Sequence, residues 1–202
     1  MAALFTDLTG FSNMKLVLTL LSLLPWQSTA YADAEAGGQK AEVCAVCHGL
    51  NGNSVAPNFP NLAGQTARYI YLQLKDFKER KRINPIMSEI AAKLTKQDMF
   101  DLADWYASQK PDNHNSRKTD ANLSNGEKLV DAALCTMCHL EGFSGQNEVP
   151  RVAGQHYEYI IKQLKDFKYK IRTNDLGSMS AVVETIADED LEDIAAYVSN
   201  LH

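Results

Sequence analysis

The feature that most limits what this chain can become is that it is written twice. Cys44-Ala45-Val46-Cys47-His48 recurs 91 residues later as Cys135-Thr136-Met137-Cys138-His139. Pro60-Asn61-Leu62-Ala63-Gly64-Gln65 recurs after 90 residues as Pro150-Arg151-Val152-Ala153-Gly154-Gln155, and Gln73 to Lys78 recurs letter for letter at Gln163 to Lys168. Met87 answers Met179 at a displacement of 92, as Leu102-Ala103 answers Ile194-Ala195. One small deletion and one small insertion account for the drift. Self-similarity at a fixed period means two homologous units. The boundaries expected are 33–109 and 123–202, joined by a linker over 110–122. There Lys110-Pro111-Asp112-Asn113-His114-Asn115-Ser116 is polar, broken by proline and without apolar periodicity.

Each unit reads as helical. Ile70, Leu74 and Phe77 fall on one side of a helix, and Tyr69, Leu72, Gln73 and Asp76 fall on another. Thr95 is placed to cap a last helix whose apolar face holds Met99, Leu102, Ala103 and Tyr106. Its counterpart should begin near Asp188 with an acidic first turn, which suits the positive end of a helix dipole. Ser124-Asn125-Gly126-Glu127 has the form of a capping box opening a helix towards Cys135. No strand pair stands out. The expected fold is all-α: two tandem domains related by internal duplication.

C-x-x-C-H is the attachment pattern for c-type haem. Two thiols add across the two porphyrin vinyl groups, and the adjacent histidine reaches the iron from the same side. A thioredoxin-like pair needs no histidine there and sits in a βαβ setting; a zinc site wants four sulfur and nitrogen ligands. His114, His156 and His202 do not repeat between the units, so they make poor members of such a set. The pattern predicts two covalently bound haem c groups, on Cys44, Cys47 and His48 and on Cys135, Cys138 and His139. All four cysteines are then used, leaving none for a disulfide.

The second iron ligand follows by elimination. Beyond His139 the only methionine is Met179, and Met87 is its repeat partner beyond His48. Both are expected in loops, Asn84 to Ser88 and Leu176 to Ser180. Met99 belongs to an apolar helix face, and Met137 lies inside the attachment motif. Ligation by His48 and Met87, and by His139 and Met179, fills both axial positions with protein atoms and raises the reduction potential relative to a second nitrogen ligand. No position is then left for oxygen, peroxide or substrate, so the chain should carry electrons by outer-sphere transfer. Haem-bound histidines donate their other ring N–H to a fixed acceptor. The carbonyls of Pro60 and Pro150 are the candidates, against the alternative of a simple loop turn. Arg82 and Arg172 also repeat and are candidates to neutralise haem propionates. Tyr69 and Tyr159 fit either core aromatics or propionate contacts.

The first residues are of another kind. Met14-Lys15, the nine-residue run Leu16 to Leu24, and Ala30-Tyr31-Ala32 have the form of a secretory signal peptide over 1–32, cleaved near Ala32, with the true start at Met14. A retained anchor is the alternative. The apolar run is about half the roughly 20 residues needed to span a bilayer. Export of this kind would place the protein in the periplasm. The charge of −5 sits wholly in the second half, where residues 114–202 carry fourteen acids against nine bases. No basic stripe exists for nucleic acid. Lys75 to Arg82 is the one dense positive run, either a solvated helix face or a docking patch for an acidic partner.

With these residues in place, the chain resembles the cytochrome c4 family of bacterial dihaem cytochromes. The likeness lies in both C-x-x-C-H motifs, both Ala-Gly-Gln segments, both Gln-Leu-Lys-Asp-Phe-Lys helices and Asn84-Pro85-Ile86-Met87-Ser88. It implies two class I cytochrome c domains about a pseudo-twofold axis, with haem propionates meeting near the interface. It also implies electron transfer towards terminal oxidases in the periplasm, sometimes at the membrane surface. The second unit departs from the pattern: Leu140-Glu141-Gly142-Phe143 replaces the usual glycine-rich start after the haem histidine. Two other readings remain: a dihaem electron-accepting subunit of a redox enzyme, such as a flavocytochrome c sulfide dehydrogenase, and a peroxidase with one displaceable ligand.

Overall fold

The structure, a computed structural model, describes residues 32–112 and 122–202. The expected signal segment, save Ala32, and positions 113–121 of the expected linker lie outside the described residues.

In the first half, Asp33 opens α1 (Ala34–Ala41) by accepting the Glu35 and Ala36 amides at 2.9 and 3.2 Å. The single turn α2 (Ala45–His48) holds the attachment motif, and Thr66 caps α3 (Ala67–Lys78). The structure then forms α4 (Pro85–Ala92) and α5 (Lys96–Ser108). Thr95 and Asp98 cap α5 reciprocally, each side chain accepting the other's amide. The second half repeats the order: α6 (Leu123–Ala132), α7 (Thr136–His139), a 3-10 turn at Glu141–Phe143, α8 (Tyr157–Lys168), α9 (Ser178–Val183) and α10 (Asp188–Asn200). Among the described residues the only β-pairing is one bridge between Gln146 and Val149.

Each half has its own core. Ile70, Leu74, Met99, Leu102, Ala103 and Tyr106 build the first; Val130, Ile160, Phe167, Leu191, Ile194 and Val198 build the second. The first and last helices of each half cross at a glycine. A Cβ on Gly37 would stand 2.1 Å from the Asp101 carbonyl oxygen, and one on Gly126 would stand 2.3 Å from that of Asp193. Side-chain-free backbone lets α1 lie against α5 and α6 against α10 at that range. Lys40 ties the first crossing, at 2.8 Å from Asp98 and 2.5 Å from Asp101.

The inner face of α3 buries Ile70, Leu74 and Phe77. Its other face, with Tyr69, Gln73 and Asp76, meets the second half. Arg172 donates to Tyr69 Oη at 3.2 Å and to Gln73 Oε1 at 3.0 Å; Asn174 donates to Asp76 at 2.6 Å. In the reverse sense Arg82 donates to Tyr159 Oη at 2.9 Å and to Gln163 Oε1 at 2.7 Å. The interface therefore reads nearly the same when the two halves are exchanged.

Two local expectations are corrected. Asn122 rather than Ser124 caps α6, accepting the Asn125 amide at 3.1 Å. Ser124 therefore sits inside the helix, because asparagine caps as well as serine and stands two residues earlier. Met87 and Met179 are not in loops but in the first turns of α4 and α9. Asn84 accepts the amides of Ile86 and Met87 at 3.0 and 2.9 Å, and Pro85 at the first helical position needs no hydrogen-bond partner there. In the second half Asp175 gathers the Gly177 and Ser180 amides at 3.2 and 2.8 Å. The charges of the basic run are largely taken up by partners in and around it. Arg80 meets Glu89 at 2.6 Å, Lys81 meets Glu79 at 2.7 Å, and Arg82 turns inward.

Candidate haem centres

Both attachment motifs form one helical turn directly after α1 or α6. Their cysteines are free, and Cys44 and Cys135 rest against the same clusters as Met87 and Met179 respectively. Burial pushes both Cys44 and Cys135 thiols above the ordinary value. That is the reverse of the lowered value that marks a redox-active thiolate. Among the described residues no three His, Cys, Asp or Glu side chains gather as a metal cage would require.

The histidines are fixed in one tautomer. His48 Nδ1 lies 2.9 Å from the Pro60 carbonyl oxygen, and His139 Nδ1 lies 2.9 Å from that of Pro150. A carbonyl oxygen only accepts, so Nδ1 must carry the proton in both rings and Nε2 must present its lone pair. Burial holds both imidazoles below their ordinary value, outweighing the opposite pull of the proline carbonyls. Neutral imidazole with a free Nε2 is the form that binds iron.

Arg82 and Arg172 sit where the halves meet. Each stacks on a phenylalanine of its own half, Phe77 at 4.7 Å and Phe167 at 4.4 Å. Their other partners are neutral amides and phenols. Among the described residues no carboxylate pairs with either guanidinium. Burial alone would push the Tyr69 phenol up, yet the charges of Arg172 and Arg82 bring it below its ordinary value. Two desolvated cations on neutral partners form a cradle suited to anionic groups. Several apolar side chains near the attachment motifs and the methionines in sequence are exposed: Val46, Leu50, Val55, Ile83 and Ile86 in one half, and Leu134, Met137, Ile171 and Leu176 in the other. The donor set, the paired thiols, the cationic cradle and the exposed apolar side chains all fit a haem in each half.

The two halves match the family model described as Cytochrome c over residues 34–110 and 123–202. A cytochrome c4 of Pseudomonas aeruginosa is 38% identical over 93% of this chain and 99% of its own length. The chain belongs to the cytochrome c4 family. The crystal structure of reduced recombinant cytochrome c4 from Pseudomonas stutzeri superposes with a TM-score of 0.78 at 37% identity, covering 85% of this chain and all of that one. A protein of Thiomonas intermedia named as a thiosulfate dehydrogenase electron acceptor is 30% identical over 94% of this chain and 92% of its own length. As a member of the cytochrome c4 family the chain carries two haem c groups and serves as a dihaem electron carrier.

Several site residues escaped the sequence reading. Gln65, Gln155 and His156 are buried where the halves meet, and Asn174 donates across the same interface. His156 stands where the first half has Thr66, and its Nε2 donates to the Ser54 carbonyl at 2.9 Å. That substitution at a repeat position was the available signal.

The departure after the second haem histidine has a backbone consequence. Gly49 has φ 77° and ψ 158°; Leu140, at the equivalent place, has φ 64° and ψ 168°. That region is open essentially to glycine alone, and a side chain there costs roughly 1–3 kcal/mol. Against it, glycine gives up roughly 0.4–1 kcal/mol through the unfolded chain. Leu140→Gly should therefore stabilise the second domain by about 1 kcal/mol. Denaturant unfolding followed at the second haem checks this, and a lower midpoint would count against it.

Proposed function

We propose that this chain is exported to the periplasm and relays single electrons from a respiratory donor, such as a quinol-oxidising complex, to a terminal acceptor such as an oxidase. The observation that carries the reading is the twice-repeated histidine held by a proline carbonyl, with its Nε2 lone pair presented beside two thiols. Cys44 and Cys47, and Cys135 and Cys138, form the thioether links. His48 and Met87 hold one iron; His139 and Met179 hold the other. When bound, each haem supplies a one-electron iron couple. The chain's part is to keep both axial positions filled, so that no small molecule coordinates and little structure changes with charge. Pro60 and Pro150 orient the imidazoles, and Arg82 and Arg172 offset the propionate charge. On this reading the protein is no enzyme.

Export rests on the segment ending at Ala30-Tyr31-Ala32. Among the described residues no helix is long and apolar enough to cross a membrane. A spectroscopic redox titration of the exported protein tests the whole reading. It should find two low-spin haems per chain, two one-electron steps and no binding of carbon monoxide under native conditions. Fewer than two haems, or ready carbon monoxide binding at either, would overturn it. A second reading, as the electron-accepting partner of a redox enzyme, is favoured by the likeness to the Thiomonas intermedia acceptor. On that reading the protein would co-purify with the enzyme and bury an apolar face, whereas a shuttle purifies alone.

A further inference from the structure

We infer that each domain positions the haem histidine of the other, through a reciprocal pair of buried glutamines, Gln65 and Gln155. The inference rests on the proposed roles of His48 and His139 as iron ligands.

Gln155 of the second half reaches the residue that follows Pro60 in the first. Its Oε1 accepts the Asn61 amide at 2.8 Å, and its Nε2 donates to the Asn61 carbonyl at 2.9 Å. Gln65 does the same in reverse. Its Oε1 accepts the Arg151 amide at 2.7 Å, and its Nε2 donates to the Arg151 carbonyl at 2.8 Å. Each side chain grips both polar groups of one residue, as a neighbouring strand would. Gln65 and Gln155 are 6% and 7% exposed, so these bonds are shielded from water. The Oε1 atoms are fixed further by the next amide along, Thr66 at 2.9 Å and His156 at 3.0 Å.

What lies one peptide away gives the clamp its meaning. The carbonyl of Pro60 belongs to the same peptide unit as the Asn61 amide, and it accepts from His48 Nδ1. The carbonyl of Pro150 shares its unit with the Arg151 amide and accepts from His139 Nδ1. Peptide units are rigid planes. Holding the amide on one side therefore fixes the direction of the carbonyl on the other. The second domain grips the first attachment motif by another route as well. His156 donates to the Ser54 carbonyl, and the Ser54 hydroxyl donates to the Cys47 carbonyl at 3.0 Å.

The consequence is crossed. A strong Nδ1–H bond makes an imidazole a better electron donor and favours oxidised iron. Releasing the clamp weakens that bond and should ease reduction of the haem in the opposite domain. Arg82 and Arg172 act at the interface by charge and on both sides of it at once; the glutamines are neutral and directional, so their effect is confined to one haem.

The test compares Gln155→Leu and Gln65→Leu in the exported, haem-loaded protein. Each haem is titrated separately by NMR of its haem methyl signals. Gln155→Leu should raise the potential of the haem on His48 and leave the other within error; Gln65→Leu should do the converse. The expected change is a three- to tenfold shift in the reduction equilibrium of the opposite haem, about 30 to 60 mV at 59 mV per tenfold for one electron. Gln155→Met and Gln65→Met keep the length and the neutrality of the side chain but can make neither bond to the partner backbone. They should give the same crossed pattern even where the leucine variants fold poorly. Equal shifts at both haems in every variant, a shift confined to the variant's own domain, or no shift, overturns the inference. Failure of the ligand reading itself would show differently, as the absence of histidine ligation in the spectra of the unmodified protein.

Discussion

Met87→Ala is expected to strip the sulfur-to-iron absorption band from one haem, turn that haem high-spin and open it to carbon monoxide, leaving the other haem untouched. Met87 is half-buried in the first turn of α4, and the cap that organises this turn is Asn84 acting on backbone amides. Alanine is the best helix former and adds no bulk, so α4 survives the change. What disappears is the thioether. Because methionine ligation raises the potential, its removal should lower that haem's electron affinity at least tenfold, roughly 60 mV for one electron. Met179→Ala should do the same to the second haem, where Asp175 holds the turn through Gly177 and Ser180. The competing role, a methionine that merely fills the core, makes an opposite forecast. Then either variant would lose about 2 kcal/mol of stability or more with both spectra intact. Absorption and carbon monoxide titration of the two single variants separate the roles.

Much of this architecture was legible because the chain repeats. Gln73 to Lys78 and its copy had to be helices of the same kind, and the buried set Ile70, Leu74 and Phe77 follows from their spacing alone. The Cytochrome c4 likeness and the dihaem reading came from motifs whose chemistry dictates their spacing. The methionines were misplaced into loops although Asn84-Pro85 carries its own start signal, a capping side chain followed by proline at the first helical position. The outer face of α3 was legible as polar, but its partners were not. That Tyr69 and Gln73 meet Arg172 depends on how two finished domains dock, and nothing in local periodicity encodes a distance across 99 to 103 residues. Gln65 and Gln155 were visible as part of a repeated segment. Their role was not, since a glutamine side chain says nothing of whose backbone it will meet.

Gly126→Ala separates two physical effects of opposite sign. Helix propensity alone favours the variant, because alanine in a helix interior is better than glycine by about 1 kcal/mol. Packing opposes it. The added methyl would stand 2.3 Å from the Asp193 carbonyl oxygen, 2.9 Å from its carbon and 2.7 Å from Tyr197 Cβ. Two of these atoms are backbone of α10 and the third begins a side chain, so none can swing aside. The helices must part, and overpacking of this kind costs roughly 1–3 kcal/mol. Asn125, next in the chain, donates to Asp193 at 2.8 Å and is displaced with it. Gly37→Ala meets Asp101 and Trp105 in the same way, and there the Lys40 ion pairs are disturbed as well. The net expectation is destabilisation, larger for Gly37. The effect reaches function because α1 and α6 run directly into Cys44 and Cys135, so a tilted helix carries its attachment motif with it. Denaturant unfolding of the haem-loaded variants reads the sign: a rise in stability would mean that the crossing is loose enough to admit a methyl group.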